Sequence, residues 1–450
     1  MEANRKLSVP TLEEIRQNFR SNIEFASVGS LVKRGVLFVE DGNHGEYRPR
    51  QHEFVAEGVP FIRPPDLKDG RVDLEQCDRI SDVAFRRVRK GIGQGGDIVL
   101  THRATVGRLA IAEPDAPTFV ANPGTTIWRS LDSTVLNQKY LYAFMRSSAL
   151  AQQLDAQVGH TSTFDYVSLT QQRQLIVALP SIGIQERIAD RICVFDDKIE
   201  LNRRMNRVLE EMARAIFKAW FVEFEPVRAK AAGATGFPGM PQDVFEELPD
   251  SFVDSELGPI PKGWEVGVIA GLGRFVNGKA FTKHANGKGR MIIRIAELNS
   301  GPGPSTKYSD IEAAADNTAF PDDILFAWSG SLDVYRWHRD EAIINQHIFK
   351  VVPEGFPSWF VYYQLANAMP FFQQIASTKA TTMGHIKRDH LSQATFAVPS
   401  NGIIAGAEEV MRSLYDLIHI NERESLVLAA TRDTLLPKLI SGELQVGDES

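Results

Sequence analysis

At 450 residues, with 43% hydrophobic and 24% charged residues, the chain exceeds one ordinary domain and has the make-up of a globular protein of about three units. Its two cysteines, Cys77 and Cys193, exclude a disulfide framework or a cysteine zinc site and fit a reducing cytosol. The net charge of −7 is uneven: residues 1–180 and 258–398 are near neutral and slightly basic, whereas 181–257 and 399–450 are acidic.

In chain order, Thr11 followed by Glu13 and Glu14 predicts a helix over residues 11–20. GVLFVEDGNHGEYRP reads as a strand entering the turn Asp41-Gly42-Asn43-His44-Gly45. VPFIRPPDLKDGRVD reads as a strand and a turn, and residues 80–90 as a helix bearing Arg86, Arg87, Arg89 and Lys90. GGDIVLTHRATVGRLAIAE predicts a hairpin with strands over 98–101 and 108–112. A strand over 121–129 and an amphipathic helix over 136–154 follow. The loop Gly159-His160-Thr161-Ser162-Thr163 then leads to the strand-like LIVALP. No signal pattern and no long apolar run occur, so a cytoplasmic protein without a membrane span is expected.

Residues 185–221 contain neither Gly nor Pro. Their apolar positions Ile188, Ile192, Phe195, Ile199, Leu209, Ile216 and Trp220 alternate steps of three and four, the seam of a long helix. Asn202 and Asn206 interrupt that seam. Buried there, an Asn weakens pairing but fixes register. A Gly-, Pro- and Ala-containing linker follows, up to about residue 264. The chain then repeats itself. RMIIRIAELNSG follows VPFIRPPDLKDG, PDDILFAWSGS follows GGDIVLTHRAT, and AIINQHIFKVV follows FVANPGTTIWR. A helix over 359–376 matches the one over 136–154. At an offset of 219 the seam recurs as Met411, Leu414, Ile418, Asn421, Leu428, Leu435 and Leu439. The chain is an internal duplication, each half ending in a long helix. The predicted fold class is mixed α/β (α+β), with segments 1–180, 181–257, 258–398 and 399–450. Two antiparallel helices would set Asn202 against Asn421. The last residues, 441–450, are polar and expected to fray.

No catalytic signature is present. There is no phosphate loop of the ATPase type, and GIGQGG at 91–96 follows a helix and precedes a strand, the wrong order for a dinucleotide loop. Asp196-Asp197-Lys198 has the look of a nuclease metal site but lies on the seam helix, where a solvated face is expected. The ten histidines show no metal-ligand spacing. Arg63-Pro64-Pro65 and Asn122-Pro123-Gly124 lack the aromatic that stacks on a flipped base. The loops are more informative, because polar side chains there can read base edges and cations can hold phosphates. Candidates for DNA contact are Asn43, His44, Arg86, Arg87, Arg103, Thr105, His160, Thr161 and Thr163 in the first half. In the second half they are Lys279, Lys283, Trp328, Ser329, Lys379, Thr381 and Thr382. An acidic helical scaffold repels phosphate, so the globular units would do the reading and a basic partner would supply much of the grip.

This pattern resembles the specificity (S) subunit of type I restriction–modification systems. LPSIGIQERIADRICVFDDKIELNRRMNRVLEEMARAIFKAWFVEFEPVRAK is similar to that family's central conserved region, and LLPKLISGEL to its distal one. Asp41-Gly42-Asn43-His44-Gly45, Gly96-Asp97-Ile98 and Asp323-Ile324-Leu325 resemble recurrent elements of its recognition domains. The distal helix departs at its start, carrying Ile404-Ala405-Gly406-Ala407 where the proximal copy has Gln185-Glu186, which predicts a weaker cap. The resemblance implies a non-catalytic subunit with two target-recognition domains. These would read the halves of a bipartite double-stranded DNA site, held apart by two long antiparallel coiled-coil helices. A helix of thirty-odd residues spans roughly 50 Å at ~1.5 Å per residue. It also implies two methylation subunits docked on the helices and using S-adenosylmethionine, plus restriction subunits using ATP and Mg; this chain would bind no cofactor and no metal. Subunit docking would involve the seam helices that carry Ile192, Phe195, Ile199, Asn202, Leu209, Ile216, Trp220, Leu414, Ile418, Asn421, Leu428 and Leu435. Two alternatives differ in partners: a methylation-only complex, and a coiled-coil protein scaffold that binds no DNA.

Overall fold

The computed structural model describes residues 23–160, 165–303, 305–377 and 384–444. The helix expected over 11–20 and the polar end beyond 444 lie outside them. Two compact units emerge, residues 1–198 with 428–450 and residues 199–427. Each combines a globular α/β body with stretches of both long helices, Ile182–Phe217 and Asn401–Ile440. This is the mixed α/β duplication read from the sequence. Among the described residues, no helix is long and apolar enough to cross a membrane.

In the first unit a six-stranded sheet runs Leu37–Asp41, Thr125–Ser130, Ile98–Thr101, Leu109–Ile111, Arg71–Val72, Leu67–Lys68. A five-stranded sheet runs Phe54–Val55, Asp78–Ile80, Val59–Ile62, Phe119–Ala121, Ile92–Gly93. All four residues of Ile98–Thr101 are buried, so an unbroken apolar run marks a strand covered on both faces. In the second unit one four-stranded sheet runs Gly273–Asn277, Ile348–Pro353, Ile324–Ala327, Asp333–Arg336. The other runs Lys307–Ser309, Arg290–Ile293, Ala342–Ile344, Thr318–Ala319. The duplication shows in the pairing. Val59–Ile62 lies parallel to Phe119–Ala121, as Arg290–Ile293 does to Ala342–Ile344. In each unit an early strand also closes antiparallel on the strand before the long helix: Glu24–Ser27 on Ile176–Leu179, Glu265–Val268 on Thr395–Val398.

Several sequence-based elements change. The expected strand over 121–129 is two strands divided by the turn at Asn122, Pro123 and Gly124. The helix over 80–90 contracts to Asp82–Arg87, capped by the Ser81 hydroxyl and ended by extended Val88. The helix over 136–154 divides into Gln138–Met145 and Ser148–Gln157. Ser147 is extended there, and its hydroxyl donates to the Phe144 carbonyl, a local bond that competes with helix continuation. The linker is ordered and apolar inside. Val227, Met240, Val244, Phe245 and Leu248 join the core of the second unit, and the Lys230 ammonium donates to the carbonyls of Phe245, Glu246 and Leu248. The distal helix begins at Asn401 despite lacking Gln185-Glu186. Where Gln185 binds the Asn137 amide and the carbonyls of Val135 and Pro180, Ile403 and Ile404 are simply buried.

Along the seam Ile192, Ile199 and Trp220 are buried, while Phe195, Leu209, Ile216, Leu414, Ile418, Leu428 and Leu435 are half-buried. Asn202, Asn206 and Asn421 are buried in it. The antiparallel register sets Asn421 between the other two. Its amide donates to Asn206 Oδ1 at 2.9 Å, whereas Asn202 reaches the Asn421 carbonyl at 3.4 Å and Glu424 at 2.7 Å. The side-chain partner of Asn421 is therefore Asn206 rather than Asn202. Asp196 is not on a solvated face either: it accepts from Arg146 at 2.7 Å and from Arg432 at 2.6 Å.

In the second unit Asp333–Arg336 and the residues after it clamp the distal helix. Arg336 lies over the Tyr415 ring and bonds Asp322 and the Tyr415 carbonyl; Arg423 bonds Asp340. His338 Nδ1 meets His419 Nδ1 at 2.9 Å. Burial, and then the neighbouring Arg336, push the His338 imidazole down to about 3; burial lowers His419 as well. Unfolded histidine takes up its proton near 6.5, the folded pair only at lower pH. The stability this clamp contributes is thus complete above about 6.5 and is lost as pH falls toward about 3. The urea midpoint of the second unit should drop between about pH 7.5 and about pH 5, and His338→Gln should flatten that drop. An unchanged midpoint over that range would disprove it.

Candidate nucleic-acid interface

In each unit the same four chain segments meet at one end of the sheets. In the first unit Gly42 N donates to Thr125 O at 2.8 Å and Asn43 N to Ala121 O at 2.7 Å. His102 N donates to Gly124 O at 3.0 Å, Val167 N to His102 O at 3.0 Å, and Ala104 N to Asp165 O at 2.9 Å. Arg103 is bridged to Tyr166. The second unit repeats this frame. Gly278 N donates to Ile348 O at 2.9 Å, Trp328 N to His347 O at 3.1 Å, Ile386 N to Trp328 O at 3.0 Å, and Gly330 N to Gly384 O at 3.1 Å. Ser329 is bridged to His385. Glycine is required where the strands approach: a Cβ on Gly42 would sit 1.8 Å from Asn122 O, and one on Gly278 2.0 Å from Asn345 O.

A buried ion pair supports each frame. Asp97, fully buried, accepts from Arg129 through both oxygens and from Gln94 N at 2.8 Å. Asp323 holds the Lys350 ammonium at 2.6 Å and accepts from Phe320 N at 2.7 Å. The Gly-Asp-Ile and Asp-Ile-Leu stretches are therefore scaffold: the carboxylate closes a turn and ties two strands.

On this common frame the side chains differ. Asp41 and His102 occupy the places of Asn277 and Trp328; Pro123 and Gly124 those of Gln346 and His347. Asp41 Oδ1 lies 3.9 Å from His102 Nε2, and burial keeps the His102 imidazole below its ordinary range. In the second unit Trp328 Nε1 donates to Asn277 Oδ1 at 2.9 Å, and its ring lies 4.9 Å from that of His347.

The candidates divide accordingly. His44, Arg103 and Thr105 are exposed on the first cluster, with exposed Arg86 on the neighbouring helix. Lys279 and Lys283 are exposed on the second, where Trp328 and Ser329 are half-buried. The backbone of His160 lies in the strand Gly159–His160. Thr161, Thr163, Lys379, Thr381 and Thr382 lie outside the described residues. Two candidates are corrected. Asn43 is fully buried, its amide donating to the Tyr47 carbonyl, so it meets no base edge. Arg87 makes two bonds to Glu53 at 2.6 and 2.8 Å, which hold the Glu53 carboxyl down at about 2, so it braces the loop. Asn277, Gln346, His347 and His385 also lie at the second cluster and were not among the candidates. The match of AIINQHIFKVV to FVANPGTTIWR carries the signal for two of them, since it sets Gln346 and His347 on Pro123 and Gly124. No cluster of three or more His, Cys, Asp or Glu side chains suited to a metal occurs among the described residues.

Known proteins match along the chain. The family model for the type I restriction modification DNA specificity domain matches residues 41–211 and 261–425. The type I restriction enzyme MjaIX specificity subunit of Methanocaldococcus jannaschii is 26% identical over 415 residues, covering 88% of each chain. The type I restriction enzyme HindI specificity subunit of Haemophilus influenzae is 22% identical over 445 residues, covering 88% of this chain and 96% of its own. The crystal structure of the type I restriction–modification S subunit from M. genitalium shares the fold, with a TM-score of 0.50, 14% identity and coverage of 96% and 98%. With two copies of the family's domain spanning well over half its length, on a duplicated frame, the chain belongs to the type I restriction–modification DNA specificity family.

Proposed function

We propose that the chain is the DNA-reading subunit of a type I restriction–modification complex and itself performs no catalysis. Each loop cluster reads one half of a bipartite double-stranded site. One observation carries this: the two clusters share four backbone hydrogen bonds at matching positions yet present different side chains. A constant frame with variable contents is what two readers of unlike sequences require, because base edges are read by side chains and position is set by backbone. Exposed cations beside the clusters, Arg86 in the first and Lys279 and Lys283 in the second, suit phosphate contact. The acidic helices suit basic methylation subunits, which would carry S-adenosylmethionine; restriction subunits would bring ATP and Mg.

The test is an exchange. Residues 1–180 are replaced by those of another family member, the chain is produced with its methylation subunits, and modified sites are mapped by long-read sequencing. One half of the recognised sequence should change and the other persist. Alteration of both halves, or no sequence preference in the parent complex, would refute the reading.

A further inference from the structure

Each cluster presents two turns, and the units differ in which of them is strained. In the first unit the turn after Ile98–Thr101 carries Arg103, Ala104 and Thr105, with Ala104 at φ 64. The turn before Thr125–Ser130 carries Pro123 and Gly124. In the second unit the turn after Ile324–Ala327 carries Ser329 and Gly330, and glycine takes the left-handed position at φ 69. The turn before Ile348–Pro353 carries Gln346 and His347, with His347 at φ 75. A side chain is disfavoured at such angles because its Cβ crowds the backbone. The strain has changed places between the two units.

Backbone strain persists only where surroundings impose it, and it collects where geometry serves a function. The surroundings of His347 do impose it. The carbonyl of His347 accepts from Trp328 N, that of Ile348 accepts from Gly278 N, and Asn345 N donates to Ile293 O. Trp328 backs the His347 ring and is itself held by Asn277. Gln346 is exposed, and His347 Nδ1, buried, meets no hydrogen-bond partner among the described residues. The other turn of each unit is chemically poorer. Pro123 and Gly124 carry no hydrogen-bonding side chain, and Gly330 has none beside the short Ser329.

We infer that the strained turn is the principal base-reading element of each unit: Arg103 and Thr105 in the first, Gln346 and His347, backed by Trp328, in the second. The chemistry differs between them as unlike half-sites require. A glutamine amide matches the N6 and N7 edge of adenine in two bonds, and a guanidinium the O6 and N7 edge of guanine. This inference rests on the two-reader proposal above.

The test uses the whole chain assembled with its methylation subunits, with the marked sites mapped genome-wide. Gln346→Ala removes the reading amide. His347→Gly removes the imidazole and relieves the left-handed position, so the turn keeps its shape; thermal melting checks that each variant folds. Both should lower discrimination at one position of one half-site by about tenfold or more, leaving the other half-site intact. Ser329→Ala, on the other turn of the same cluster, should relax the site several-fold less than Gln346→Ala does. An unaltered site with Gln346→Ala and His347→Gly overturns the inference, as does a change in both halves or an equal relaxation by Ser329→Ala. A parent complex that marks a bipartite site while these variants are silent overturns only this assignment. A parent complex that marks no bipartite site removes the two-reader proposal instead.

Discussion

Leu201→Glu combined with Val208→Glu is expected to release the methylation subunits while leaving the chain folded. The proximal helix has a second apolar stripe, Leu201, Met205, Val208 and Met212, about 100° round from the seam that grips the distal helix. Its steps of four, three and four are those of a helix-packing seam. Yet Leu201, Val208 and Met212 are 52%, 55% and 47% exposed. On the distal helix Leu417, Ile420 and Val427 are exposed as well. Scattered exposed apolar residues need no explanation, but two helical stripes of them fit a protein surface. The substituted side chains already face water, so the cost to folding should stay within about 0.5 kcal/mol. Burying a carboxylate in an apolar interface should cost about 2 kcal/mol or more, roughly thirtyfold in affinity. Co-purification with methylation subunits and a urea melt read the two quantities separately. Undiminished recovery of the complex would sink the docking proposal.

Leu436→Ala with Leu439→Ala should strongly destabilise the first unit. Both leucines and Ile440 are almost fully buried, in a core shared with Tyr140, Leu141, Ile188 and Ile192. Each truncation loses apolar burial and leaves a cavity, about 2–5 kcal/mol apiece. Together they reach about 4 kcal/mol at the least, against a total stability of about 5–15 kcal/mol for a typical domain. The core of the second unit, from Ala213 to Tyr415, contains neither residue and should keep its own transition. Limited proteolysis and a denaturant melt followed in both units check this; a single melt at the parent midpoint would contradict it.

Much of the frame was legible because it is written in apolar periodicity. The strand Ile98–Thr101 and the long helices came from runs that only one structure buries. The repeat offset then carried assignments from one half to the other. What was not legible depended on tertiary approach. Asn43 has the composition of an exposed turn, but the close passage of Gly42 over Asn122 draws it inside. Arg87 looks like a free cation until the chain brings Glu53 beside it, 34 residues away. The linker's glycines and prolines concealed Val244 and Phe245, which face the start of the distal helix, where Gly406 leaves room for Val244. Gln346 and His347 lay in plain sight, but nothing local marks a histidine at positive φ.

The division of the chain has a consequence for its synthesis. Residues 199–427 form one uninterrupted unit, whereas the other is assembled from residues 1–198 and 428–450. On a ribosome the first domain therefore emerges with its core open, and Leu436, Leu439 and Ile440 follow about 240 residues later. The domain made second closes first. Until then the earlier one presents its unfilled apolar face, the state in which nascent chains aggregate or engage chaperones. Such distant closure also slows folding, because a long loop must be ordered before the contacts that reward it form.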